Sequence, residues 1–226
     1  MSAAVRPAAG EKGCPPALKI GLVGAAAVEF AVVPTLGFTL RIGAGGTAPI
    51  RGVALNAQIR IAVARRAYDP ATRRRLGELL GPEGPHQRPA PSMLWAHAAV
   101  QVPPFDGETE VELHVPCTYD FEVAAAKYLH VLPDGEVPLE FLFTGTIFYL
   151  EDGLLQAALI PWDTDVDFPM PVAVWKDVME RYFPHSAWLR LDRETFDRLY
   201  AYKVRHALPG WDDVVASLLP GTREGL

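Results

Sequence analysis

Cysteine is scarce in this chain: two residues, Cys14 and Cys117, among 226. That excludes a disulfide framework, and with no C-x-x-C pair it gives no zinc or dithiol signature, so a reducing cytoplasm is the expected setting. Long apolar runs are missing too. The longest, Ile20 to Val33, has 14 residues with Glu29 inside it, short of the ~20 needed to span a bilayer. Its flanks do not form a secretory signal, and a strand is expected. Positive charge is not in excess, since 21 Lys and Arg face 27 Asp and Glu for a net charge of −6. Such a balance favours solubility and argues against general affinity for nucleic acid or anionic membrane.

Catalytic signatures are also absent. "GLVGAA" lacks G-x-G-x-x-G spacing, and "GAGG" lacks the Lys and Ser/Thr of a phosphate loop. No serine sits in G-x-S-x-G, and the six histidines show no pair four apart around a glutamate. Asp163, Asp165 and Asp167 alternate as calcium ligands do, but the sixth and twelfth positions of the loop hold Phe168 and Val174, where Gly and Glu are required. A solvated loop is the expected form. No catalytic residue, metal or cofactor is nominated. The arginines Arg65, Arg66, Arg73, Arg74 and Arg75 form one basic cluster, either a solvated helix face or a contact for phosphates or an acidic partner.

What is present is a core. Half the residues are hydrophobic, and a chain of this length buries roughly 70% of its unfolded surface. Residues 1–16 read as a disordered tail and 17–226 as one domain, with strands over 17–168 and helices over 169–226. Leu36, Phe38, Leu40 and Ile42 alternate with polar or small residues, as do Val53, Leu55, Ala57, Ile59, Ile61 and Val63, with Asn56, Gln58 and Arg60 on the opposite face. Two such runs joined by "GAGGTAP" predict an antiparallel hairpin. Asp69 and Gly81 bracket a helix. Strands are expected at "LWAHAAVQV", "TEVELHV" and "EVPLEFLFTGTIFYL", the last turning through "EDG" into "LLQAALIPW". "DFEVAAAKYLHVL" suits helix or strand.

Beyond Pro171 the period lengthens. Val174, Trp175, Val178, Met179 and Tyr182 make one helical stripe. A second helix, capped by Asp192, points Phe196, Leu199, Tyr200 and Val204 inward, and a third is capped near Asp212. The resulting class is α+β with a mainly antiparallel sheet. The C-terminal third concentrates aromatic rings, either cement between helices and sheet or anchors for a polypeptide.

Residues 136–203 resemble the export chaperone SecB family. The likeness rests on "FTGTIFYL" and on "FPHSAWLRLDRETFDRLYA", with a turn, a strand and an amphipathic helix between them. Thr195 departs from that family's asparagine, and the first 135 residues exceed what it carries there. The chain as a whole, through "PCTYD", "GTIFY", "PVAVW" and "FPHSAWLRL", is similar to an uncharacterised actinobacterial family found beside uptake-hydrogenase genes.

The SecB resemblance implies a four-stranded antiparallel sheet flanked by helices, a tendency to form homo-oligomers, and an apolar groove holding extended polypeptide without a cofactor. The groove walls it implies are Phe148, Tyr149, Trp162, Trp175, Trp188 and Tyr200. The expected function is a non-catalytic, chaperone-like accessory factor, assisting maturation or assembly of a hydrogenase-type redox complex. The alternatives are an enzyme or small-molecule binder with a pocket between the sheet and C-terminal helices, and a structural subunit of an assembly.

Overall fold

The computed structural model describes residues 15–46, 48–81, 92–118, 123–186 and 189–219. The tail expected over 1–16 therefore lies almost wholly outside the described residues, as do Trp188 and the loop 82–91. The chain divides into two compact units, residues 1–187 and 188–226.

Among the described residues the first unit has eight antiparallel strands: β1 (Ala17–Ala27), β2 (Thr35–Gly45), β3 (Ile50–Ile61), β4 (Met93–Val102), β5 (Glu108–Pro116), β6 (Glu136–Glu151), β7 (Leu154–Leu159) and β8 (Asp165–Pro171). With them, among the same residues, are a 3-10 turn (Val63–Arg65) and four α-helices: α1 (Pro70–Arg75), α2 (Gly77–Leu80), α3 (Ala124–Val131) and α4 (Val172–Tyr182). The class is α+β, as expected. The strands form two sheets, one ordered β1-β2-β5 and the other β4-β3-β6-β7, with β8 also on β6. The SecB resemblance implied a single four-stranded sheet.

The expected hairpin of β2 and β3 does not form. β2 pairs with β1 and β5, whereas β3 pairs with β4 and β6, so "GAGGTAP" carries the chain from one sheet to the other. Alternation had assigned each residue to the correct face: Leu36, Phe38, Leu40 and Ile42 are sealed, and so are Val53, Leu55, Ala57, Ile59 and Ile61. It carries no information on which strand lies alongside. The two apolar faces meet as opposing layers. Phe38 makes edge-on contacts with Phe141, Phe168 and Trp95, at ring separations of 5.1, 6.1 and 6.2 Å.

The aspartate triplet is also more ordered than expected. Asp165 and Asp167 lie in β8, antiparallel to β6, with Asp167 opposite Glu140. Val166, Phe168 and Met170 turn towards the core while Asp165, Asp167 and Pro169 stay exposed. The prolines hid this strand in the sequence, although proline is tolerated at a sheet edge. Arg65 closes the motif, reaching Asp167 at 2.7 Å and Glu140 at 3.1 Å. Its neighbour Arg66 donates to the carbonyls of Asp134 and Glu136 at 2.6 and 2.5 Å. These two arginines are thus tied to the start of β6 and to β8, and only Arg73, Arg74 and Arg75 share the last turn of α1. The single basic patch is split.

The ambiguous alanine-rich segment is helical. In α3, Tyr128 is fully buried and its hydroxyl lies 2.8 Å from that of Tyr68, which donates to the Val63 carbonyl at 2.7 Å. Asp69 caps α1 as expected, accepting from the N–H groups of Ala71 and Thr72 at 2.9 and 3.0 Å. On α4 the expected stripe is inward, with Trp175, Val178 and Met179 buried.

The second unit holds α5 (Arg193–Arg205) and α6 (Trp211–Leu218). Asp192 caps α5, accepting from the Thr195 N–H at 2.8 Å and its hydroxyl at 2.7 Å. The third helix starts earlier than the cap expected near Asp212: Gly210 is the N-cap, and its N–H donates to the Asp213 carboxylate at 2.9 Å. Most of the face of α5 expected to point inward does not: Phe196, Tyr200 and Val204 are exposed, and only Leu199 is half-buried. Val214 is the one buried side chain described on these two helices. Two short helices have too little facing surface to bury an apolar stripe each.

Trp175→Ala should destabilise the protein by about 3–5 kcal/mol in denaturant titration, whereas Trp162→Ala, at a 90% exposed side chain, should leave the midpoint nearly unchanged. Cys117 is buried, and desolvation pushes its thiol up to about 12. Because the folded value lies above the unfolded one, this group's contribution to stability is full below about pH 8.5 and falls away at higher pH, as the unfolded thiol ionises. In a Cys14→Ser variant, the remaining thiol should react with a thiol reagent at pH 8 only as fast as the chain unfolds. Rapid reaction of the folded protein would contradict the burial.

Candidate functional site

The candidate site is the outer face of the five-stranded sheet, and β6 sets its geometry. One flank of this 16-residue strand pairs with β3 along nearly its whole length. The other flank takes β8 against its first half and β7 against its second. The two partners are nearly one continuous strand. Ile160 donates to the Gly145 carbonyl at 3.0 Å, and Phe143 donates to the Thr164 carbonyl at 2.9 Å. Between these bonds Pro161, Trp162 and Asp163 stand opposite Thr144 alone. Pro161 has no N–H to give to the ladder, so the chain loops out and closes again through Thr164 N–H to the Pro161 carbonyl, 3.2 Å. A bulge of this kind re-aims a side chain at a sheet edge. Here it throws Trp162 out of the layer.

Trp162 stands beside a concavity of about 470 Å³ lined by Asn56, Gln58, His97, Leu142 and Thr144. The residues come from β3, β4 and β6, each at an outward position of its strand: Gln58 is opposite both His97 and Leu142, and Asn56 is opposite Thr144. No carboxylate, lysine or arginine lines it. Amides, a hydroxyl, an imidazole and an indole offer hydrogen bonds beside apolar surface, a chemistry for holding neutral groups such as a main-chain amide. Further along the same face the surface turns apolar. Phe148, Leu155 and Leu159 are exposed, at 37, 63 and 79%, with Phe148 opposite Ala157 and Leu155 opposite Leu150. Among the described residues no group of three His, Cys, Asp or Glu side chains is placed to hold a metal ion.

Of the six residues that the sequence reading placed on a groove wall, two share this face, Phe148 and Trp162. Tyr149 is buried because it follows Phe148 in a strand and points the opposite way. Trp175 is 2% exposed and belongs to the core. Neither can line an open groove. Trp188 lies outside the described residues. Tyr200 belongs to the second unit, where its ring stands 6.4 Å from both Phe196 and Trp211 in an exposed cluster. In that unit a separate hollow of about 400 Å³ is lined by Leu189, Leu191, Arg193, Phe196 and Asp197.

Leu155, Leu159 and His97 were not singled out from the sequence. The available signal was "LLQAAL" itself: apolar residues occupy both parities of an edge strand, so one set must face outwards.

A family of unknown function (DUF6084) matches residues 15–225, and the chain belongs to it. Among curated proteins none matches. Two solved structures show a remote likeness. One is a Bordetella pertussis protein provisionally identified as ApaA, 15% identical over 69% of this chain and 95% of that one, with a TM-score of 0.26. The other is a β-glucosidase from Kluyveromyces marxianus, 9% identical over 69% of this chain but only 15% of that one, with a TM-score of 0.22. At these scores neither bears on fold or function.

On its other flank β6 approaches β3 most closely at Gly145, whose φ is +155° and whose added Cβ would lie 2.1 Å from the Ala54 carbonyl oxygen. That obstacle is backbone of the adjacent strand and has little freedom to yield. Gly145→Ala should therefore cost about 2 kcal/mol or more in equilibrium unfolding, and wild-type stability in that variant would contradict the close approach of β6 to β3.

Proposed function

We propose that this protein is a non-catalytic binding factor that holds an extended, apolar segment of another polypeptide on the outer face of its five-stranded sheet. The observation that carries the reading is the exposed row of Phe148, Leu155, Leu159 and Trp162 on one sheet face. Soluble monomers rarely expose large contiguous apolar surface without a use for it. The row leads into a hollow of amides and a hydroxyl, which suits the client's main chain, while the apolar positions take its alternate side chains. The exposed rings of Phe196, Tyr200 and Trp211 offer a second anchoring surface of the same chemistry.

No cofactor is required for such binding. No described helix is long and apolar enough to cross a membrane, and the reading places the protein in the cytoplasm. The likeness to proteins encoded beside uptake-hydrogenase genes directs the search for a client to subunits of a redox complex of that type, during maturation or assembly.

The test uses a reduced, alkylated, permanently unfolded polypeptide as probe. Fluorescence anisotropy should report binding by the wild type, weakened about tenfold or more by Trp162→Ala combined with Leu159→Asp, with no loss of thermal stability. Absence of binding by the wild type, or equal binding by the double variant, would overturn the reading. Saturable binding of a small neutral metabolite in the hollow, with no affinity for the polypeptide, would favour a small-molecule binder instead.

A further inference from the structure

We propose that two copies of this chain associate through β7, pairing antiparallel about a two-fold axis at Ala157 and joining their five-stranded sheets edge to edge. β7 ends its sheet and pairs with β6 alone among the described strands. Ile160 donates towards β6, so backbone alternation sends the bonds of Ala158, Gln156 and Leu154 the same way. The N–H and C=O groups of Leu155, Ala157 and Leu159 consequently face away from β6. These three positions are symmetric about Ala157. In an antiparallel pair Ala157 meets its own counterpart, and Leu155 meets Leu159 of the second copy. Each pair exchanges two main-chain hydrogen bonds.

The other strands that border the sheets carry guards that β7 lacks: β1 and β4 are each interrupted by a bulge, at Val23 and at Trp95. β8 carries Asp165, Asp167, Pro169 and Pro171, and β5 carries Glu108, Glu110 and Glu112. Charges and prolines of this kind prevent edge-to-edge pairing. "LLQAAL" holds no charge, proline or internal bulge. Its length is bounded at both ends, by the Asp152–Gly153 turn with φ values of 51° and 78° and by the Pro161 bulge, so a shifted register loses hydrogen bonds. The partner that fits an uncharged strand with symmetric donors, acceptors and leucines is an identical strand. Side chains of β7 remain on the outer face after pairing, so the dimer would set two such faces side by side. The inference does not depend on the proposed function.

Sedimentation equilibrium should give twice the chain mass, with dissociation on the order of micromolar for an edge contact of this size. Leu155→Glu with Leu159→Glu places like charges opposite each other and should yield monomer. Leu155→Lys with Leu159→Glu places opposite charges across the axis in both pairs and should restore the dimer. In a Cys14→Ser background, Ala157→Cys should cross-link on oxidation, since paired residues there lie about 5.5 Å apart at Cα. A monomeric wild type at every concentration would overturn the proposal. A dimer unaffected by the double glutamate substitution and uncross-linked at 157 would overturn it equally. A wild type that stays monomeric yet binds the unfolded polypeptide would overturn the dimer alone, and a dimer that binds no polypeptide would overturn the proposed function alone.

Discussion

The apolar seam between the two sheets is the constraint on which the first unit rests. Phe38 projects from β2 into a cage made by Trp95, Phe141 and Phe168, which come from β4, β6 and β8. One ring therefore ties the three-stranded sheet to three strands of the other. Edge-on packing of aromatic rings contributes about 0.5–1.5 kcal/mol per pair beyond burial. The larger effect is geometric, because a close-packed seam fixes the side of every strand that is left for solvent. β6 pairs on both flanks, and its inward residues, Val137 through Tyr149, are sealed. Its outward residues then have no choice but to form the floor of the outer face.

That floor is graded. At one end Arg65 joins the exposed Asp167 and the half-buried Glu140 in a surface ion-pair network, worth little in stability. In the middle lie Asn56, Gln58, His97 and Thr144, and at the far end Phe148, Leu155 and Leu159. Trp162 stands at the junction, put there by a bulge that Pro161 forces. A side chain that is 90% exposed contributes almost nothing to folding. The ring's placement is better explained by what it can touch outside the chain than by anything it stabilises inside. The second unit makes the same point on a smaller scale, with the rings of Phe196, Tyr200 and Trp211 clustered together and none buried.

The fold and the site were legible to different degrees. The buried faces of β2, β3 and β6 follow from period-two alternation at named residues, and α1, α4 and α5 follow from Asp69, the Trp175 stripe and Asp192. β8 was hidden because Pro169 and Pro171 speak against a strand until its place at a sheet edge is known. Phe148 and Tyr149 show the limit for the site: both are aromatic neighbours in one strand, and only the parity of β6 against the seam separates surface from core. Trp175 and Trp162 differ in the same way, one on a helix that packs inward and the other on a loop pushed out of the ladder.

By itself the sequence determined the α+β class, the caps of α1 and α5 and the strand faces, because each is a local matter of propensity or period. Tertiary structure decided that "GAGGTAP" leads to another sheet instead of a hairpin, that Arg65 and Arg66 are bound to β6 and β8, and that Trp162 but not Trp175 meets solvent. Those outcomes depend on which distant strands share hydrogen bonds. That choice is made by the fit of whole apolar faces against each other, and no window of neighbouring residues contains it.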